Sequence, residues 1–360
     1  MNRFLIVISL VIVFSSCKKN TQNSKQIKSL RFIGEQILAD SLIYKNTKVG
    51  GLSSIDYANG KYYLISDDKE RPIRFYEMTL DFDANNFKNI TITNVIKINN
   101  DTKVVDPEAL RFDKSSGNFL WTSEGSVFLS PSVFEIKPNG AFIKEYSLPK
   151  MFKKDSLNSN GLRRNGTFEG LSLTKNNIWL GMELPLEQDG EEPKLATGKY
   201  PVRISKIDKN KSELKYQFAY MLDAIPRDSK PSGKFTVNGL PEILNISENE
   251  FLFIERSYAS GHNNGGNNVK IYKVDCTNAT DISKIKALEN TNYLPAKKTL
   301  LLDFETIRSK LTNGIVDNIE GITFGKTLKN GNRTLVVVSD NNFNKFSKQL
   351  NQLIVFEVLD

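Results

Sequence analysis

Histidine occurs once in this sequence of 360 residues, at position 262, and cysteine twice, at 17 and 276. Zinc and iron sites ordinarily draw on imidazole and thiolate ligands, so this scarcity argues against both metals. No G-x-S-x-G stretch is present, which disfavours a serine hydrolase of the common α/β type. His262 lies in "GHNNGGNN", which reads as a flexible loop, so it suits a solvated residue better than a catalytic base. The same Gly/Asn run precedes a strand and no helix, so it is not a phosphate-cradling loop. Long apolar runs are also lacking. The one candidate, Phe4 to Phe14, falls short of the roughly 20 residues a spanning helix needs.

That run belongs to a leader. Arg3 supplies a short basic region, Phe4 to Phe14 the apolar one, and Ser15-Ser16-Cys17 resembles a bacterial lipobox. Residues 1–16 therefore read as a lipoprotein signal peptide, with Cys17 diacylated after cleavage; an ordinary secretory signal with an incidental cysteine is the alternative. Lys18 follows, with no Asp there to suggest inner-membrane retention, so the expected location is the outer membrane, facing the periplasm or the cell surface. Residues 17–29 read as a polar tether and 30–360 as the folded domain. With Cys17 lipidated, Cys276 has no disulfide partner, and the core must be stabilised by burial.

What is present is strand-forming. Apolar residues make up 39% of the chain, rich in Ile, Val, Phe and Tyr, with many Thr and little Ala beside them. The net charge is +8, which favours an anionic partner or simply reflects a solvated lysine-rich surface. Five segments repeat one pattern: "GGLSSIDY", "DPEALRFD", "TFEGLSLT", "LPEILNIS" and "NIEGITFG". Four carry a glutamate at the same place, Glu108, Glu169, Glu242 and Glu320, and Gly50 holds that place in the first. Each segment is followed by a turn and a second run that ends in acid: Asp67 and Asp68, Glu124, Glu183, Glu255 and Asp340. A third and usually a fourth run follow. Four short strands per unit, repeated, predict an all-β β-propeller of four-stranded antiparallel blades. Five repeats are counted, and five or six blades are expected. "LRFIGEQIL" (30–38) can complete the last unit and close the ring.

Antiparallel alternation places the start of each first strand and the end of each second strand on one face of the disc. Both acid series should then converge on one mouth of the central channel. The long connections 149–168, 183–201, 223–241 and 255–268 fall on that face, where loops on a rigid scaffold carry function. The insertion 275–297 falls on the other face and has no functional reading. So many like charges need cations. Arg74, Arg203 and Lys270 align at the starts of third strands, with Arg71, Arg164 and Arg256 in adjacent loops; these are the candidate substrate-binding residues. A hard metal ion is the other remedy. Oxygen ligands favour Ca²⁺, with Asp67, Asp68, Glu108, Glu124, Glu242, Glu255, Glu320 and Asp340 as candidate ligands. Glu169 or Glu183 could orient or deprotonate an attacking water, and the arginines could stabilise developing negative charge. The competing reading makes each repeated glutamate a brace between blades.

"GGLSSIDYANGKYYLISDD", "RPIRFYEMTLDF", "DPEALRF", "NGTFEGLSL" and "DNIEGITFG" together resemble the phytase-like propeller family known as "esterase-like activity of phytase". The resemblance spans about residues 48–357. It implies a bacterial secreted or lipid-anchored propeller that hydrolyses phosphoesters or esters. The Asp-Asp-Pro-rich signature of calcium-dependent propeller phytases is not found, nor is the Arg-His-Gly of histidine acid phosphatases. The resulting expectation is a monomeric, calcium-dependent phosphoester hydrolase acting on a small anionic or phosphorylated substrate. It would touch membrane only through its lipid anchor and bind no nucleic acid. A non-catalytic surface propeller holding an anionic glycan, peptide or protein, and a carboxylester hydrolase, are the rivals.

Overall fold

The computed structural model describes residues 26–69, 72–99, 106–126, 129–153, 161–163, 165–344 and 349–360. Five four-stranded antiparallel sheets surround one axis. Their innermost strands are Leu52–Ala58, Pro107–Asp113, Phe168–Leu173, Thr236–Asn245 and Asn318–Phe324, here blades 1 to 5, and each neighbours the next around the ring. The second strands, Lys61–Ser66, Asn118–Ser123, Asn177–Met182, Glu250–Ala259 and Thr334–Asp340, are covered on both faces. That explains their near-continuous apolar runs. The outer strand Phe87–Lys97 instead mixes exposed and covered positions, as a half-solvated strand should.

The repeats thus resolve to five blades, with no sixth among the described residues. The N-terminal strand Ser29–Leu38 pairs antiparallel with the last strand Asn351–Leu359, from Ser29 opposite Leu359 to Leu38 opposite Asn351. This completes blade 5 and leaves the ring no open edge there. Order begins slightly before position 30: Ile27 is buried and the Lys28 N–H donates to the Leu359 carbonyl. Aromatic side chains fill the gaps between blades. Trp179 of blade 3 meets Phe251 of blade 4 edge-on at 5.0 Å, and Tyr63 of blade 1 meets Phe119 of blade 2 at 4.8 Å. The signal peptide, Cys17 and the tether up to residue 25 lie outside the described residues, as do Arg71 and Arg164.

The axis of the ring is closed by a buried arginine, Arg111, paired with Glu242 and, at 3.8 Å, with Asp56. Arg111 is the only basic residue in the five innermost strands. Its guanidinium donates to the carbonyls of Leu171 (2.7 Å), Ile55 (2.5 Å), Ile322 (3.1 Å) and Ile243 (3.4 Å). Those carbonyls belong to blades 3, 1, 5 and 4, and Arg111 itself to blade 2. Glu242 neutralises it at 2.7 Å and also accepts from Ser54 Oγ and from the N–H groups of Leu171 and Ile243. A buried pair with all its hydrogen-bonding positions used is tolerable, but a lone survivor is not. Replacing Arg111 by Met should therefore cost about 3–5 kcal/mol in urea unfolding. Adding Glu242→Leu should recover much of the loss; a single mutant as stable as wild type would refute the role.

Candidate functional site

Above that plug opens a cavity of about 1150 Å³. The first-strand acids reach it through β-bulges. The register slips between Phe168 and Gly170, between Ile319 and Gly321, and between Pro107 and Leu110, with Glu169, Glu320 and Glu108 inside the slips. A bulge re-aims one side chain out of the alternation, here toward the mouth. In blade 1 the slip holds Ser53, so Ser53, and not Gly50, is the counterpart of the glutamates. In blade 4 the slip is taken by Leu240 and Pro241, and Glu242 falls one position beyond it. A one-residue change reverses the facing of a strand residue. Glu242 accordingly joins Arg111 at the axis and does not line the mouth.

The second-strand series behaves alike. Asp67, Glu124, Glu183 and Asp340 all line the cavity. In blade 4 the equivalent residue is Arg256, and Glu255 turns away between blades 3 and 4. There it accepts from Lys298 Nζ (2.7 Å), Tyr220 Oη and the Asp223 N–H (2.9 Å). Asp68 also leaves the mouth, pairing with Arg74 at 2.8 Å.

The candidate cations are mostly elsewhere. Arg74 is buried against Tyr76 and the Lys48 carbonyl. Arg203 is fully buried in a bidentate pair with Asp189, under the 275–297 insertion, whose Ile285 carbonyl it also reaches. Lys270 pairs with Asp223 at 3.0 Å. None of the three lines the cavity. Arg256 does, bridging Glu320 at 3.1 Å and Glu183 at 3.4 Å.

Sequence reasoning missed Asp106 and Asp317, which also line the mouth, and Lys69 and Arg163, which hold carboxylates there. Asp106 and Asp317 stand two and three residues before a repeated glutamate, a signal visible in "DPE" and "DNIE". Among the described residues ten carboxylates face three Lys or Arg side chains. Burial, and then the Glu320 and Asp106 charges, push Asp67 up to about 8. Burial and the Glu183 charge raise Glu124 to about 7, although the Thr167 N–H opposes the shift. Glu108, Glu169, Glu320 and Asp340 are raised as well, burial first and neighbouring carboxylates second. Arg256 is desolvated, yet Glu320 and Glu183 more than offset that and its pKa rises.

Two triads, Asp106–Glu108–Glu124 and Glu124–Glu169–Glu183, each bring carboxylate oxygens within 4.8 Å of one another. Oxygen-only donors at that spacing fit a hard cation such as Ca²⁺ and not a thiophilic one. Asp67 Oδ1 adds a buried oxygen with no hydrogen-bond partner. Gly51 permits its approach: at φ +58°, any Cβ there would stand 2.1 Å from that oxygen.

A family model described as "Esterase-like activity of phytase", of the phytase-like group, matches residues 47–343. The chain belongs to this phytase-like family. The match covers all five blades apart from the closing strands. No curated protein matches the phytase-like chain in sequence. Its fold is similar to that of an arabinanase from Bacillus subtilis, with 13% identity, 91% of this chain and 96% of that chain covered, and a TM-score of 0.43. It is similar also to the catalytic domain of a GH62 α-L-arabinofuranosidase from Coprinopsis cinerea, at 10% identity, with coverage of 92% and 98% and a TM-score of 0.44.

The raised carboxyls of this phytase-like mouth set a sign for pH dependence. Between the ordinary carboxylate range, near pH ~4, and about pH 8, the native state holds protons that the unfolded chain has released. Stability in chelator should therefore fall as pH rises through that window. Melting should be highest near the acid end and lower at about pH 8, and added Ca²⁺ should raise it most at about pH 8. A chelated protein that melts higher at about pH 8 than at about pH 5 would contradict the assignment.

Proposed function

We propose that the chain is a cation-dependent phosphoester hydrolase working at the mouth of the propeller. The observation that carries this reading is the excess of carboxylate over cation in one water-accessible cavity, with two oxygen triads sharing Glu124. Asp106, Glu108 and Glu124 are the residues that would hold Ca²⁺, with Glu169 and Glu183 beside them. Bound there, the ion would draw an anionic phosphoryl group into an otherwise repelling mouth and lower the pKa of a bound water. Glu169 or Glu183 would orient that water or take its proton. Arg256 sits where negative charge on the phosphoryl oxygens would need a donor. Asp67, which burial and the neighbouring Glu320 and Asp106 charges raise to about 8 in the ion-free mouth, is the candidate to pass a proton to a leaving oxygen. The family description agrees with an ester-cleaving activity in general. Lipid attachment at Cys17, an outer-membrane address and a monomeric state belong to the same proposal and rest on the sequence.

One observation favours a second reading. Arg74, Arg203 and Lys270 are all committed to internal ion pairs, so among the described residues the mouth has no row of cations for gripping a phosphoester directly. A propeller that binds an anionic glycan, peptide or protein through bridging cations, without turnover, would need no such row.

Calorimetric titration of chelated protein with Ca²⁺ should show binding, weakened at least on the order of tenfold by Glu124→Gln. Turnover on a panel of phosphomonoesters, phosphodiesters and carboxylesters should depend on the ion and be lost in Glu169→Gln. Cation and ligand binding with no turnover would select the second reading. Carboxylester turnover alone would make the chain an esterase, and absence of cation binding would remove both metal-based readings.

A further inference from the structure

Beside the acidic mouth lies a cavity of opposite character. It measures about 490 Å³ and is lined by Arg227, Lys230, Gly261, His262, Asn263 and Asn264, with no carboxylate among them. We propose that it is a binding site for a tetrahedral oxyanion, a phosphate or sulfate group, either free or carried on a larger ligand.

The charges there are uncompensated. Among the described residues neither Arg227 nor Lys230 forms an ion pair. Arg227 Nε is shielded from water with no hydrogen-bond partner, and the guanidinium makes one long bond, 3.3 Å, to the Asn267 carbonyl. The charged neighbours do not relieve it. Arg308 stands close enough to disfavour its charge, and Glu305, the nearest compensating carboxylate, is taken up by Arg308. Asp228, on the same loop, turns its carboxylate to the Ser229 N–H and the Ser232 hydroxyl. A guanidinium left with free donors in a partly desolvated wall is suited to a multidentate anion.

The walls are built, not incidental. Gly261, at φ +80°, lies so close to the neighbouring loop that a Cβ would stand 1.7 Å from the Lys230 carbonyl oxygen. The Lys230 N–H donates to the Ser260 carbonyl at 2.9 Å. His262 Nε2 is 2.8 Å from the Asp228 carbonyl oxygen, which can only accept. Nε2 therefore carries the hydrogen, and the ring is locked between the two loops. His262, read from sequence as a solvated loop residue, is half-buried here.

Position gives the cavity its meaning. Gly261, His262 and Asn263 line both cavities, so the two lie side by side across one loop. The site stands on the two loops alone and does not require that the mouth be catalytic.

The test uses the full chain in excess chelator, so that the acidic mouth cannot recruit anions through metal ions. Inorganic phosphate, sulfate and a sugar monophosphate are titrated by calorimetry and by NMR shifts of His262. Saturable binding on the order of 10 mM or tighter is expected, weakened at least about tenfold by Arg227→Met and unchanged by Lys114→Met, an exposed lysine in the turn after the first strand of blade 2. Tighter binding of the sugar phosphate than of phosphate identifies an anion carried on a larger ligand, and equal binding a free one; both support the site. Should Arg227→Met fail to fold, Lys230→Met on the exposed rim serves the same purpose. No saturable binding to the wild type, or equal binding by the folded variants, overturns the proposal.

Discussion

The Arg111–Glu242 pair at the axis is the contact on which the ring depends. Five inner strands that converge leave a hole lined by backbone carbonyls and amides, and unpaired backbone groups are costly. A guanidinium offers five donors in a plane, which suits several carbonyls pointing at one centre. Arg111 uses them on four other blades, and Glu242 returns acceptors to two backbone N–H groups and one hydroxyl. Burial still lifts Glu242 to about 7 despite the arginine beside it, a measure of how dry the axis is.

Much of this architecture was legible in the residues. The blade count, the strand order and the closure by the N-terminal strand follow from a repeat whose period is written in apolar alternation and turn residues. That Glu108, Glu124, Glu169, Glu183, Glu320, Asp340 and Asp67 share one face follows from antiparallel geometry, and the bulges then aim Glu108, Glu169 and Glu320 into the mouth. What was not legible depends on single-residue slips. Glu242 matches the repeat as letters, yet the blade 4 bulge falls one residue earlier and turns it to the axis. Glu255 fails for the same kind of reason, and Arg256 inherits its place. Bulges leave little trace in a pattern of apolar and polar letters, although Leu-Pro in "GLPEIL" is one. Arg111 did leave a trace, as the sole basic residue within an inner strand.

The third-strand cations were misleading for a different reason. Arg74, Arg203 and Lys270 align in sequence because their blades repeat, but each answers a local acid. Repetition reports equivalent position, not common purpose. Here it marks positions where a covered sheet needs a charge neutralised, and Asp68, Asp189 and Asp223 meet that need. Glu242 joins the blades at the axis, and Glu255 and these three cations are held in ion pairs within the fold. The brace reading does not account for the acids of the mouth, which outnumber their partners.

A five-fold scaffold would make a five-fold mouth, and a symmetric ring of acids would bind ions without direction. Blade 4 breaks that symmetry twice, by removing its first-strand acid from the rim and by placing Arg256 where an acid stands in the other four. Arg256 reaches one carboxylate on each side, Glu183 of blade 3 and Glu320 of blade 5. The acids are divided into an arc on blades 2 and 3, which holds both oxygen triads, and an arc on blades 5 and 1, which holds Asp340 and Asp67. The first arc is compact enough for cations. In both arcs burial first, and neighbouring carboxylates second, raise the carboxyl pKa values. Polarity across the mouth therefore arises from the slipped bulge and the arginine of blade 4, together with Ser53 in blade 1.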